Sequence, residues 1–345
     1  MAWESELARV ARLVFALAVG GTLASRLGAA PTLTLGTLAP EGTSYHRSLL
    51  EMREKWRKAP GGGVNLRVFA GGKMGGDAKM VGQMRLGALD AGLLTAAGLQ
   101  EIDAGIAGVQ STPLQYRSLE EFDYVAARVQ PLLEKRMEAK GFVVLFWTDA
   151  GWVHFFSKTP FTRPVELKKL KLFTWAGYPE YVALWKEAGF QPVPLETADI
   201  VPMLDTGLIE AVPMPPFVAL AGQVYDRAPY MLNLKWAPLI GAMVVRKAVW
   251  EKIPAETRAE LLKTAQEAGR QNREHGRAES EKSIEAMKSR GLKVAEVTSE
   301  VEAEWRAIAD EIYPRIRGPL APPEIFDEVQ RLVKEYRARG AAPGK

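Results

Sequence analysis

The stretch from Thr162 to Phe217 constrains the fold more than any other part of the chain. A short apolar strand, Leu172 to Thr174, turns through Trp175-Ala176-Gly177 into a helix expected over Tyr178 to Ala188. Pro179 suits the first turn because proline has no amide to satisfy there, and Gly189 suits the end because glycine accepts a left-handed cap. A second strand, Phe190 to Pro194, leads to a short helix that Thr197 caps, Pro202 shortens or kinks, and Gly207 closes. A third strand, Leu208 to Val212, delivers Met214, Pro215 and Phe217 into a loop. Strand, helix, strand, helix, strand is the unit of a parallel sheet, and ligands of open α/β sheets lie outside the carboxyl ends of the strands. Two of those ends carry Phe173 with Trp175, and Met214 with Phe217, so the candidate site is apolar.

The same alternation runs before this stretch. Thr32 to Leu38 alternates as a strand does, and Thr43 or Ser44 caps a helix over Tyr45 to Lys58. Val64 to Phe69 is a second strand. Asp77 is expected to cap a helix reaching Arg85, with a further strand ending at Thr95. After a helix over Glu120 to Lys140, the run Phe142 to Trp147 is continuously apolar, as a buried central strand is. It ends in Thr148-Asp149-Ala150-Gly151-Trp152-Val153, a hinge candidate. Leu239 to Val245 forms another apolar strand that returns to the first half. From Pro254 to about Arg290 the chain is rich in Ala, Glu, Lys and Arg but has no apolar heptad seam, which suits one long helix bridging two lobes.

A chain of 345 residues is long for one core. The expected division is a signal peptide over 1–30, lobe I from 31–151 plus 238–277, and lobe II from 152–237 plus 278–345. Arg9 and Arg12 precede the apolar run Leu13 to Ala18, and small residues follow to Ala30, as in an exported bacterial protein, a retained signal anchor being the alternative. The net charge of +4 comes from interspersed signs, which argues against nucleic acid as a partner. With no cysteine, disulfides, cysteine zinc sites, a cysteine nucleophile and a lipidated anchor are excluded.

Nothing marks an enzyme. Of the three histidines, His46, His154 and His275, none sits in a catalytic or metal-binding spacing, and Gly72-Lys73 is followed by Met74 where a phosphate loop needs Ser or Thr. No cofactor or metal ion is expected.

Leu38-Ala39-Pro40 with Ser44-Tyr45-His46, Val68-Phe69 before the Gly71 to Gly76 loop, and Leu86-Gly87-Ala88-Leu89-Asp90 occur in this order. Glu166 to Leu172, Gly189 to Pro194 and Met203 to Ala211 follow. In this order and spacing the chain resembles the extracytoplasmic solute-binding subunits of tripartite ATP-independent periplasmic (TRAP) transporters, the DctP-like family. The resemblance implies a two-lobed periplasmic-binding-protein (Venus flytrap) α/β fold, crossing strands at the hinge and a long helix over both lobes. It also implies a periplasmic location, a small organic ligand and delivery to a small and a large membrane permease subunit. A helical-repeat periplasmic lipoprotein would suit an apolar-ligand branch of that resemblance, and a ligand-sensing role is the alternative to transport.

The departures from the pattern are informative. Where the family places a carboxylate-binding arginine the chain has Phe173, near a second arginine position it has Trp152 and Val153, and in place of a polar residue it has Met214. Phenylalanine cannot compensate a buried carboxylate. A neutral or largely apolar ligand is therefore expected, with Trp147, Trp152, Trp175, Phe217 and Trp236 beside Phe173 and Met214 as walls, and Tyr45, Thr148 and Asp149 as polar anchors. Arg163 or Arg246 entering the cleft would instead admit an organic carboxylate.

Overall fold

The computed structural model describes residues 30–176 and 178–341. The expected signal peptide over 1–30 lies, but for its last residue, outside the described residues. Eleven strands form two sheets in the described chain. The first contains β1 (Thr32–Thr37), β2 (Asn65–Phe69), β3 (Ala91–Thr95), β4 (Phe142–Trp152) and β10 (Pro238–Arg246), in the order β2-β1-β3-β10-β4. The second contains β5 (His154–Ser157), β6 (Lys171–Trp175), β7 (Gln191–Leu195), β8 (Ala211–Met214), β9 (Tyr230–Leu232) and β11 (Lys293–Ala295), in the order β11-β9-β5-β8-β6-β7. Within the Thr162 to Phe217 stretch, β6 pairs in parallel with both β7 and β8, the arrangement that the strand and helix alternation implies.

Local chemistry sets most boundaries. Thr43 caps the Ser44–Arg57 helix by accepting from the His46 amide at 3.4 Å, Pro179 opens the Pro179–Glu187 helix, and Gly207 closes the Ile200–Thr206 helix at φ 74°. Asp77 does not cap its helix. It is the first residue of the Asp77–Leu86 helix, and its buried carboxylate instead accepts from the Thr95 amide and hydroxyl. The expected loop after Met214 is a helix, Pro216–Ala221, with Pro216 at the first position where proline costs nothing.

Two long-range features depart from local propensity. β4 does not end at Trp147 but continues to Trp152, because β10 pairs with it as far as Pro238↔Trp152, with irregular register between Pro238 and Ile240. Tertiary pairing overrides the turn-like Thr-Asp-Ala-Gly run. The chain then passes through Val153 into the second sheet, and the Val153 amide bonds the Ala237 carbonyl at 2.9 Å. The two strands β4 and β10 thus cross between the lobes side by side.

The third crossing is the helix Ala255–Lys288. Its Leu261, Ala265 and Ala268 join the core of the first sheet, and Met287 joins that of the second. The buried face carries Ala265, Ala268, Gly269, Asn272, Gly276, Ser280 and Ser283, all but the adjacent Ala268 and Gly269 three or four residues apart. Small residues let the helix lie close to β4: a Cβ on Gly269 would come within 2.6 Å of the Phe146 ring.

The final helix, Pro323–Ala341, corrects the expected grouping of 278–345 as part of one lobe. Its Ile325, Val329, Leu332 and Val333 complete the first-lobe core against Phe122, Val125 and Val129, whereas Trp305 of the preceding helix, Ser299–Ile316, packs in the second. The amphipathic spacing of the last helix gave no indication of which lobe it would cover.

Candidate functional site

Carboxyl ends of parallel strands from both sheets face one another across the gap between the lobes. Thr37 of β1 and Thr95 of β3 stand on one side, and Trp175 of β6 and Met214 of β8 on the other. The gap holds two adjoining cavities of about 130 and 80 Å³ that share Thr95, Trp175, Pro213 and Leu239. Leu93, Leu94, Thr148, Met214, Phe217 and Ile240 line the larger cavity. Gln100, Ser111, Val153, Phe173, Thr174, Tyr178, Trp185 and Trp236 line the smaller.

Phe173 is fully buried, its ring set edge-on to Trp175 with centroids 5.1 Å apart. Trp175 is only partly covered and borders both cavities. Phe217 stacks on Tyr45 at 5.4 Å and 9° between planes, and the Tyr45 hydroxyl donates to the Asp149 carbonyl. Trp236 reaches the smaller cavity but is mostly core, stacked on Trp185 at 5.6 Å and edge-on to Phe155.

Two expected wall residues lie outside both cavities. Side chains alternate along a strand, so with Thr148 facing the larger cavity its neighbour Trp147 faces the other side of β4. There its indole nitrogen donates to Glu134 at 2.7 Å. Trp152, at the end of β4, lies on a separate groove with His154 and Lys235, whose ammonium sits 5.8 Å over the indole.

Asp149 is not a free anchor. Its side chain is 2% exposed and accepts from Arg277 Nε at 2.9 Å and Nη2 at 2.7 Å, while Arg277 also holds Asp123 at 2.6 and 2.8 Å. This cluster, with Ser280 donating to the Ala150 carbonyl at 3.2 Å, ties the long helix to the crossing strand.

Neither cavity is lined by an arginine, lysine or histidine among the described residues, and Asp149 is the only acidic side chain in either lining. Arg163 pairs with Glu300 and Glu304 on the surface, and Arg246 lies 3.7 Å from Asp90, so both are away from the cleft. His154 is buried, and desolvation pulls it down to about 4, so it stays neutral. Asp77, behind Thr95, is pushed up to about 7 by burial.

Much of the wall carries no signal in the sequence. Thr95 was legible as the end of a strand, but Gln100 and Ser111 fall in a stretch of short helices with no periodic signal. Trp185 and Tyr178 read as ordinary helix residues.

The family model of bacterial extracellular solute-binding proteins, family 7 (DctP), matches residues 35–318. The chain belongs to that family. It is 25% identical over 291 residues to the 2,3-diketo-L-gulonate-binding periplasmic protein YiaO of Escherichia coli, covering 82% of this chain and 87% of that one. It is 23% identical over 283 residues to the C4-dicarboxylate-binding periplasmic protein DctP of Rhodobacter capsulatus, covering 80% and 83%. Among solved structures, the sugar acid binding protein DctPAm of Advenella mimigardefordensis, in complex with galactonate, superposes with a TM-score of 0.83 over 89% of this chain and 99% of its own, at 16% identity. The two-lobed α/β architecture expected from the sequence is the fold these solved solute-binding proteins share. The family is one of transport binding proteins.

Proposed function

We propose that the chain captures an uncharged, largely apolar organic molecule between its lobes and presents the loaded, closed form to TRAP membrane permease subunits in the periplasm, after export by its N-terminal segment. Phe173, Trp175, Met214, Phe217 and Trp236 form the walls, with Tyr45 and Thr148 near the larger cavity and Asp149 serving the hinge. A ligand that touches both lobes favours closure by the difference in its affinity for the two states.

The observation that carries this reading is the cation-free lining, with Phe173 where the family resemblance places a carboxylate-binding arginine. Leaving a carboxylate in such a cleft without a partner costs several kcal/mol, about the penalty of an unpaired buried charge. The second reading, an organic acid, is favoured by the acids named for relatives, among them galactonate and C4-dicarboxylates. It needs a guanidinium to leave its present carboxylates, since Arg163, Arg246 and Arg277 are all paired.

The test is ligand-induced thermal stabilisation by succinate and galactonate against dimethyl succinate and other uncharged molecules, in the wild type, Phe173→Arg and Trp175→Ala. The wild type should ignore the free acids, and Trp175→Ala, at a partly covered position, should keep the fold and lose affinity for uncharged molecules, whereas Phe173→Arg places an unpaired guanidinium at a fully buried position and should lower stability by several kcal/mol unless a free acid is bound beside it. Stabilisation of the wild type by a free acid would exclude the uncharged reading.

A further inference from the structure

The two cavities differ in chemistry although both lack cations. Around the larger, Leu93, Leu94, Met214, Phe217 and Ile240 present mostly carbon, with Thr148 the single unpartnered buried hydroxyl in that lining among the described residues. The smaller has a cluster of neutral polar groups: Gln100, Ser111, Thr174 and Tyr178. Thr174 is 3% exposed, and neither its hydroxyl nor that of Tyr178 finds a hydrogen-bond partner among the described residues, although both oxygens are shielded from solvent. Gln100 reaches Ser111 only at 3.3 Å. Buried hydroxyls are nearly always paired, and an unpaired one at a cavity wall is a group prepared for a bound partner.

The kind of partner follows from the charges nearby. Burial, and then the Asp77 and Glu101 carboxyls, hold the Tyr178 phenol well above its ordinary range, so it is protonated and donates. Above about pH 7, where Asp77 is ionised, the same two carboxyls repel an anion placed beside Tyr178. A carbonyl, ether or hydroxyl oxygen meets no such repulsion.

Resting on the reading of an uncharged ligand, we propose that the cargo is an amphiphile whose neutral oxygen-bearing head sits on Thr174 and Tyr178 in the smaller cavity. Its apolar tail passes Trp175 into the larger cavity. Trp175, shared by both linings, is the waist of this path, and Thr174 and Tyr178 are specificity-determining residues that select an oxygen head over a methyl or a carboxylate.

The experiment is titration of the full chain with 1-hexanol, 1-octanol, 1-decanol and octanoate at pH 8, followed by tryptophan fluorescence. The wild type should bind 1-octanol at least about tenfold more tightly than octanoate, the order expected when one charged hydrogen-bonding group goes unpaired. Thr174→Val and Tyr178→Phe should each weaken 1-octanol about three- to tenfold, the worth of one hydrogen bond. The gain in affinity with each added methylene should stay as it was. Thr174→Ser, which keeps the hydroxyl, should bind as the wild type does, and Met214→Ser should flatten the chain-length series instead.

Octanoate binding as tightly as 1-octanol would overturn both the amphiphile and the uncharged reading. A preference for 1-octanol that survives unchanged in Thr174→Val and Tyr178→Phe would overturn the head placement alone. Failure of every alkanol to bind would overturn the linear amphiphile, with the uncharged reading still decided by the acid and ester comparison above.

Discussion

Replacing Gly276 by alanine sets two effects of known size against each other. In an open helix the change stabilises by about 0.5–1 kcal/mol, because glycine loses more backbone freedom on folding. At Gly276 the new methyl would lie 2.3 Å from the Tyr45 hydroxyl and 3.0 Å from two ring carbons. Tyr45 has little room to give, since its hydroxyl bonds Asp149 and its ring is stacked on Phe217. Overpacking of this kind costs about 1–3 kcal/mol, and loss of the hydroxyl's bond about 1 more. The expected net is a loss of roughly 1–3 kcal/mol. Gly82, inside the Asp77–Leu86 helix with nothing within 4 Å of its added methyl, is the matched control and should gain about 0.5–1 kcal/mol. Urea unfolding of both variants measures the contrast. Because Tyr45 and Phe217 border the larger cavity, Gly276→Ala should also weaken ligand binding. A Gly276→Ala protein as stable as the wild type, with unchanged affinity, would refute the claim that helix contact sets the cavity wall.

Further outcomes follow from the hinge and from Asp77. Arg277→Met strands the buried Asp149 carboxylate and should cost about 2–4 kcal/mol, a value lowered from the fully buried case because Arg277 is 20% exposed. Adding Asp149→Asn should recover part of that loss in urea unfolding, whereas simple additivity would deny the coupling. Asp77 holds its proton to about 7 in the folded chain against 3.8 for a free carboxyl. The folded state therefore binds more protons between those values, and stability falls as pH rises through that window and levels off above it. At about 1.4 kcal/mol per pH unit the effect reaches at most roughly 4 kcal/mol. Asp77→Asn should remove that slope relative to the wild type in unfolding measured from pH 4 to pH 8, and parallel profiles would count against it.

Much of the fold was legible because it rests on local chemistry. Pro179, Gly207 and Thr43 mark boundaries by what their backbones and side chains permit, and the strand ends at Trp175 and Met214 locate the cleft by a rule of sheet topology. What escaped depends on partners distant in sequence. β4 runs past Trp147 only because β10 pairs with it, and Trp147 leaves the cleft by the alternation that puts Thr148 in it. The long helix docks through Gly269, Gly276 and Ser280, and a scan for apolar residues registers such a face as polar. Asp149 looked like a ligand anchor because Arg277 lies 128 residues away in the chain.

The most direct test of the central claim is native mass spectrometry of the protein taken from its native host, with the mass and chemistry of the released cargo determined. A cleft whose described lining holds no cation predicts a molecule bearing oxygen but no ionised group. Release of a carboxylic acid in stoichiometric amount would contradict it.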